Sequence, residues 1–359
     1  MLILAIETSC DETAAAVVKY DRGCFDIKSN IIASQVEIHS KYGGIVPEVA
    51  ARQHVKNIIP VVDEAMSKFK PEDIDAVAVV NGPGLITSLF VGVEAAKTLS
   101  LAWNKPLISI NHLEAHIYSV LIKQENKKTI PRQSSGQGKQ TFEFPALALI
   151  VSGGHTQLVL MKGHGKYEIV GETRDDAAGE AFDKVAKLLG LGYPGGPVVS
   201  AYAEKSSTSK IELPRPMIRS KDFDFSFSGL KTAVLYETRD QLKAGFANPA
   251  FKDKYIAEVC YEFQQAVIDV LTAKTIKAAK KFGAKTVILA GGVSANKELR
   301  GQMADAVKKE IPSSVFCLPS PGLSTDNAAM VGMAGVFHYL DKDFTKIEDL
   351  KVDPNLGLE

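Results

Sequence analysis

Two histidines stand one helical turn apart in the segment NHLEAH, residues 111–116. An apolar, strand-like run (PLISI) leads into this segment, and Asn111 followed three residues later by Glu114 predicts a capped helix start. On such a helix His112 and His116 share one face, which is a common way to present two metal ligands. The alternative is a pair of structural histidines on one helix face, each with its own hydrogen bond.

Two acidic residues bear on what that pair can do. Glu114 stands at i+2 from His112, on the side of the helix away from both imidazoles, whereas HExxH proteases carry their Glu at i+1, close to the metal. The spacing therefore favours a metal site over a protease of that type. Asp326, in LSTDNAAM, precedes a predicted helix and is either its N-cap or the carboxylate that completes a His–His–carboxylate site.

Four glycine-containing turns expose backbone N–H groups with little side-chain obstruction, and such groups attract anions. They are NGPG (81–84), SGG (152–154), PGGP (194–197) and AGGVSAN (290–296). Together they favour a nucleotide or another phosphate ligand. None contains the GK[ST] of a P-loop or the full GxGxxG of a dinucleotide-binding fold. Asp183, on a helix predicted at 178–189, is either an acceptor for ligand hydroxyls such as those of ribose or a surface partner of a neighbouring lysine.

The composition is that of an ordinary globular protein without a global charge. The chain has 359 residues, of which 45% are hydrophobic, and its 42 basic residues balance its 42 acidic ones. An RNA partner must therefore be held by a local patch or with the help of another protein. The four scattered cysteines lack a CxxC spacing, and the sequence shows no signal peptide, transit peptide or transmembrane run. We expect a cytoplasmic protein with no membrane association.

The elements that must position these residues follow a repeated order. Two similar hairpins, LILAIETSCDETAAAVV (2–18) and LALIVSGGHTQLVLM (147–161), are each followed by helices, a strand and a Gly-rich turn. This repetition predicts a duplicated α/β architecture with a cleft between the halves. The polar segment 123–143 is predicted to be a mobile surface linker. The polar tail from Lys342 onward is predicted to be loosely held.

Nine motifs together resemble the TsaD family, the tRNA adenosine threonylcarbamoyltransferases related to the catalytic subunit of KEOPS. The resemblance runs from residue 2 to about residue 338, and the GGHT form of the second hairpin is similar to the bacterial and mitochondrial branch. The motifs are IETSCDET (6–13), GGIVPEVAARQH (43–54), NGPGL (81–85), NHLEAH (111–116), VSGGHTQL (151–158), DDAAGEAFDKVAKLLGLGYPGGP (175–197), FSFSGLKTA (225–233), AGGVSANKELR (290–300) and STDNAAMVG (324–332).

The resemblance implies an actin-like ATPase fold, shared with sugar kinases, Hsp70 and actin, with two lobes and a central cleft. It places the N-terminal lobe at 1–122 plus about 327–359 and the C-terminal lobe at 144–326. It also implies a reaction, in which threonylcarbamoyl-AMP donates its threonylcarbamoyl group to N6 of the adenosine 3′ of the anticodon, in tRNAs reading codons that begin with A. AMP is released.

The resemblance also implies site residues and partners. The expected metal is a single divalent ion, iron or zinc, with iron favoured, and the expected protein partners are a non-catalytic paralogue of the same fold and a small ATPase. The tRNA is expected to bind through its anticodon loop. The metal ligands are His112, His116 and Asp326, and the residues that hold the nucleotide part of the donor are Ile150, Val151, Ser152, Gly153, Gly154, Asp183, Gly196 and Asn296.

The donor is a mixed carbamic–phosphoric anhydride, so catalysis needs mainly positioning and charge stabilisation. The N6 amine must lose a proton, for which Asp11 or Glu12 in the first hairpin turn is the candidate acceptor. Three alternatives compete with this reading. They are a metallopeptidase, a sugar-kinase-like phosphotransferase on the same fold, and a non-catalytic scaffold, which the retained histidines and Asp326 disfavour.

Overall fold

A computed structural model describes residues 1–121, 142–244 and 248–358. The predicted linker at 123–143 lies outside the described residues except for its last two. The described strands are β1 (Leu2–Glu7), β2 (Glu12–Asp21), β3 (Cys24–Ser34), β4 (Ala76–Gly82), β5 (Leu107–Asn111), β6 (Ala146–Val151), β7 (Thr156–Gly163), β8 (Lys166–Glu172), β9 (Thr286–Ala290) and β10 (Val315–Cys317). The described α-helices are α1 (Val36–Ser40), α2 (Pro47–Met66), α3 (Ile86–Trp103), α4 (His112–Tyr118), α5 (Ala178–Leu189), α6 (Gly195–Ala203), α7 (Ser228–Ala244), α8 (Pro249–Phe282), α9 (Lys297–Glu310) and α10 (Ala328–Asp341).

Contacts divide the chain into two compact units. Unit 1 consists of Met1–Glu143, His164–Lys166 and Cys317–Glu359, and unit 2 consists of Phe144–Gly163 and Tyr167–Phe316. Each unit has its own apolar core, built around one five-stranded sheet.

The sequence explains why these sheets are buried. The strands β1, β4, β6 and β9 read as nearly continuous apolar runs, and almost all of their residues are buried. Such runs are typical of strands that are covered on both faces. In unit 1 the helix α2 supplies part of this cover through residues spaced three or four apart, among them Ala50, Ile58 and Ala65.

The two sheets have the same order of strands. The first runs β3-β2-β1-β4-β5 and the second, from its other edge, runs β8-β7-β6-β9-β10. In each sheet the central strand pairs antiparallel with the next strand of its hairpin (β1 with β2, β6 with β7) and parallel with a later strand (β1 with β4, β6 with β9). The structure thus confirms the duplicated α/β architecture. The predicted helix at 178–189 and strand at 286–290 also match α5 and β9.

The expectation of a loosely held tail is wrong. The backbone N–H of Thr345 donates to the Leu107 carbonyl at 2.8 Å, and that of Asp353 donates to the Asn81 carbonyl at 2.9 Å. Leu350 is buried in the core of unit 1. Most side chains of the tail face water, which accounts for its polar composition. Its backbone forms hydrogen bonds with the rest of unit 1. Among the helices that the structure describes, none has both the length and the hydrophobicity needed to cross a bilayer.

Candidate functional site

The candidate metal site is built on the short helix α4 of unit 1. The side-chain oxygen of Asn111 accepts hydrogen bonds from the backbone N–H groups of Leu113 (2.8 Å) and Glu114 (3.4 Å), so the predicted N-cap is confirmed. Both histidines of the helix are buried, and their rings meet edge to face with centroids 4.6 Å apart.

Asp326 joins the two histidines, although it is 210 or more positions away along the chain. Its Oδ1 lies 3.1 Å from Nε2 of His116 and 3.6 Å from Nε2 of His112. One ligand atom from each of the three residues lies within 4.8 Å of the others. The N-cap of α10 is the next residue, Asn327, whose side chain accepts from the Met330 N–H. The structure therefore excludes the N-cap role that the sequence leaves open for Asp326 and places its carboxylate beside the two histidines.

The three side chains fit a divalent metal ion. Neither ring nitrogen of His116 has a hydrogen-bond partner among the described residues, although the ring is fully buried. In the part of the chain that the structure describes, Nε2 of His116 has only the ion-pair contact with Asp326, and Nδ1 has no polar contact of this kind. A buried imidazole without hydrogen bonds is costly, and metal coordination removes that cost. Two imidazole nitrogens and a carboxylate oxygen suit zinc and iron alike.

The other histidine is oriented by two residues that the sequence analysis missed. Nδ1 of His112 lies 3.1 Å from both Oε2 of Glu7 and Oγ of Ser9. Glu7 is almost fully buried at the end of β1. A carboxylate on Nδ1 directs Nε2 towards the metal position, as in carboxylate–histidine–metal triads. Burial lowers the pKa of His112, but Asp326 and Glu7 outweigh burial and raise this pKa to about 9.

The turn between β1 and β2 carries the two candidate proton acceptors, Asp11 and Glu12. Burial, together with the charges of Asp326 and Asp11, raises the pKa of Glu12 to about 10. His54 of α2 supports the turn from behind, with Nε2 2.9 Å from the Cys10 carbonyl oxygen and Nδ1 2.8 Å from Oγ1 of Thr13.

Glu114 lies on the face of α4 away from the metal position, as predicted. Its Oε2 is 3.0 Å from Nε2 of His338 on α10, and Nδ1 of His338 is 2.8 Å from Oδ2 of Asp343. The two carboxylates outweigh the effect of burial and raise the pKa of His338 to about 9. This contact ties α4 to α10, the helix that begins just after Asp326. A protease base would instead have to point at the metal, so the contact counts against the metallopeptidase.

In unit 2 the predicted nucleotide-binding residues lie near the carboxyl ends of β6 and β9. Ile150 and Val151 are fully buried in β6, between β7 and β9, so neither residue presents a side chain to a ligand. Gly153 and Gly154 are exposed, and a Cβ added at either position meets nothing within 4 Å. A Cβ added at Gly196 in α6 also meets nothing within 4 Å.

Close backbone approaches hold these turns together. A Cβ added at Gly179 would lie 2.5 Å from the Ser152 carbonyl oxygen, and one at Gly291 would lie 2.5 Å from the Val151 carbonyl oxygen. These two positions therefore require glycine for close packing. The glycines with open space lie beside them and leave a surface without side chains.

Asp183 and Asn296 hold the protein itself together. Oδ1 of Asp183 accepts the Gly195 N–H at 2.6 Å, at the start of α6. Asn296 caps α9, and its amide donates to Oγ of Ser200 at 2.9 Å and to Oε1 of Gln264 at 2.8 Å.

One of the four turns is unsuited to binding phosphate. In NGPG the backbone N–H of Gly84 donates to the Pro354 carbonyl at 3.2 Å. A Cβ at Gly82 would collide with the Asp353 carbonyl oxygen. Gly82 permits the close approach of the tail and Gly84 that of Ser9, and the expectation of an anion site there is wrong.

Proteins of similar sequence show which family this chain belongs to. A profile of the TsaD family, described as tRNA N6-adenosine threonylcarbamoyltransferase, matches residues 26–333. The chain belongs to the TsaD family. A relative from Thermomicrobium roseum with the same description is 48% identical over 374 residues, covering the whole chain and 97% of that protein. One from Listeria innocua is 45% identical over 360 residues with the same coverage.

Solved structures bear on the fold alone. HypF from T. kodakarensis superposes with a TM-score of 0.61 at 15% identity, covering 97% of this chain and 49% of HypF. A second HypF structure, in the phosphate- and nucleotide-bound form, gives a TM-score of 0.56 at 12% identity, covering 94% of this chain and 46% of that one. With its two mixed sheets, the TsaD family member has an α/β fold of the actin-like ATPase type, as predicted.

Proposed function

We propose that this TsaD family member transfers a threonylcarbamoyl group from threonylcarbamoyl-AMP to N6 of the adenosine 3′ of the anticodon, in tRNAs reading codons that begin with A. The observation that carries the proposal is the buried His112–His116–Asp326 group in a chain whose relatives are named tRNA N6-adenosine threonylcarbamoyltransferase. In the reaction a C–N bond forms between N6 and the carbamoyl carbon. The C–O bond to the phosphate breaks, and AMP leaves with the electron pair.

On this proposal the residues of unit 1 handle the reacting groups. His112, His116 and Asp326 hold one divalent metal ion, for which we favour iron over zinc. When bound, it would supply positive charge that stabilises developing negative charge and lowers the pKa of neighbouring carboxyls. Glu7 and Ser9 orient His112, and Asp11 or Glu12 accepts the proton that N6 loses.

The residues of unit 2 bind the nucleotide part of the donor. The open turn of Ser152, Gly153 and Gly154 and the backbone at Gly196 offer N–H groups to phosphate oxygens. The Asp183 carboxylate accepts hydrogen bonds from ribose hydroxyls. Ile150 and Val151 hold the turn that follows β6 in place, and Asn296 fixes the starting point of α9.

The target adenosine lies in a single-stranded loop, so its base can be unstacked at modest cost. The balanced charge of the chain provides no general attraction for tRNA. We therefore propose that auxiliary proteins assist tRNA binding, namely a non-catalytic paralogue of the same fold and a small ATPase. A filter-binding titration of the isolated chain tests this point, since tight and salt-sensitive tRNA binding would contradict it.

Reconstitution tests the proposed reaction. The purified chain is mixed with threonylcarbamoyl-AMP, unmodified tRNA and an extract that lacks its own transferase but supplies auxiliary proteins. We expect AMP release and N6-threonylcarbamoyladenosine in the digested tRNA, and loss of both with His112→Ala. Release of ADP with a phosphorylated small molecule would instead support a sugar-kinase-like phosphotransferase. Cleavage of unfolded protein would support a metallopeptidase.

A further inference from the structure

The tail of unit 1 crosses the ends of β4 and β5 and bonds to residues of both. Besides the bond from Asp353 to Asn81, the Asn81 side-chain amide donates to the Lys351 carbonyl at 3.2 Å. Close packing at Gly82 and the bond from Gly84 to Pro354 bring the tail directly onto the turn after β4. Leu358, farther along, is buried.

The same tail reaches the helix that carries the two histidine ligands. The side-chain amide of Asn111 donates to the Gly357 carbonyl at 2.9 Å and to the Leu356 carbonyl at 3.4 Å. Its oxygen meanwhile accepts from the first N–H groups of α4. Asn111 therefore joins the tail to the first turn of α4, and the next residue in the chain is His112.

We propose that residues 353–357 are a positioning element of the metal site, which fixes the first turn of α4, and with it His112, through the amide of Asn111. This inference rests on the proposed metal binding by His112, His116 and Asp326. The tail touches no reacting group and acts only through Asn111.

The length of α4 is the physical reason why such a device is needed. The helix has seven residues, and a helix that short has no independent stability in water, so its neighbours must determine its position. The first turn of the helix carries His112. The Asn111 side chain holds this turn with its oxygen, which accepts from the N–H groups of the turn, and is itself held by its amide nitrogen, which donates to the tail. Without the tail, Asn111 still caps the helix, but its amide loses the hydrogen bonds to Leu356 and Gly357. The first turn of α4 then moves relative to Asp326.

A matched pair of variants tests the proposal. Asn111→Ser keeps a side-chain oxygen for the cap, since serine is a good N-cap residue, but loses the amide that reaches the tail. Asn81→Ser removes a side-chain bond to the same tail at Lys351, on a residue that is not joined to α4. The dissociation constant for Co²⁺ and the visible absorption bands of bound Co²⁺ are measured for both variants and for the wild type, with thermal unfolding as a check on folding.

We expect Asn111→Ser to weaken Co²⁺ binding about 10-fold, the lower end of the range for residues that orient metal ligands, and to shift the absorption bands. Asn81→Ser should match the wild type in both. A chain ending after Asn355, which lacks the acceptors of the Asn111 amide, should weaken binding to a similar extent. Combining it with Asn111→Ser should add little.

Two results overturn the proposal, and they are distinguishable. If the wild type binds Co²⁺ but Asn111→Ser binds it equally well with the same spectrum, the positioning role is wrong and the metal site stands. If the wild type binds neither Co²⁺ nor zinc nor iron, the proposed metal site is wrong, and the proposed positioning role is then wrong as well. A loss of affinity in Asn81→Ser equal to that in Asn111→Ser would show only a general effect of the tail on stability, which also contradicts the proposal.

Discussion

The two sheets share one order of strands, yet equivalent turns carry different chemistry. After β1 the turn of unit 1 is crowded with carboxyls and lies beside a buried histidine pair. After β6 the equivalent turn of unit 2 is SGG, where the glycines have open space around them. The scaffold fixes where a turn lies, and the side chains on it decide whether it presents carboxyl groups or backbone N–H groups.

The turns after β4 and β9 add a second lesson. Both are rich in glycine and both lead towards a helix, but the C-terminal tail covers the turn after β4. Its N–H at Gly84 is already bonded to Pro354, whereas a Cβ at Gly292, after β9, meets nothing within 4 Å. Glycine content alone thus does not distinguish a ligand turn from a packing turn.

The largest expected effect comes from removing a metal ligand in unit 1. His116→Ala should abolish stoichiometric metal binding and lower the rate of threonylcarbamoyl transfer about a thousandfold or more, a loss of several kcal/mol. Metal content after dialysis and the rate of AMP release measure the two effects. His39→Gln, which changes a histidine of α1 that contacts Gln35 and the Val46 N–H, is the control. Full activity of His116→Ala would rule out the proposed metal site.

The open turn of unit 2 should respond differently. Gly154→Val places a side chain in open space, so thermal unfolding should stay near that of the wild type while the affinity for AMP falls about 10-fold or more, the scale of one lost hydrogen bond to a charged group. Gly179→Ala, by contrast, pushes against the Ser152 carbonyl and should lower the unfolding temperature. Unchanged AMP affinity in Gly154→Val would remove this turn from the site.

A third change tests the orientation of His112 within unit 1. Glu7→Gln keeps the shape of the side chain but removes the charge beside Nδ1, so metal affinity should fall about 10- to 100-fold. Asp75→Asn is the control, because the Asp75 carboxylate accepts a backbone N–H at the other end of β1. Competition with a chelator gives both affinities. Equal affinities in the two variants would mean that Glu7 has no orienting role.

The smallest effect concerns the pH dependence of stability through His338. Its pKa is about 9 in the folded protein and near 6.5 in the unfolded chain. Its contribution is therefore complete below about pH 6.5 and disappears as the pH rises through about 9, at most about 3 kcal/mol in all. His338→Gln should reduce this slope in urea unfolding measured across that range, and the remainder comes from His112, whose pKa is also about 9. An unchanged slope in the variant would assign it to other groups.

The sequence predicts what is local and periodic. The hairpins, the helix at 178–189 and the cap at Asn111 all follow from short patterns, and the i, i+4 histidines indicate the helix of the candidate metal site. Asp326 could be found only as one of two alternatives, because an acidic residue before a helix is usually a cap. The family resemblance supplied the reaction, which no single residue pattern shows.

Contacts between distant positions were not predictable. Glu7 and His112 are 105 residues apart, and a lone glutamate at a strand end has no pattern that indicates its partner. Asn81 and Lys351 are 270 residues apart, so neither the covered NGPG turn nor the bonded tail could be predicted from local composition. A polar tail can be firmly held when its backbone, and not its side chains, forms the hydrogen bonds to the rest of the unit.

The division of roles between the units can be tested directly by titrating AMP into His116→Ala in the presence of a chelator. If the metal ligands of unit 1 and the nucleotide turns of unit 2 are separate sites, this variant should bind AMP with the affinity of the equally treated wild type, although it binds no metal. A large loss of AMP affinity under these conditions, with folding intact, would contradict the division.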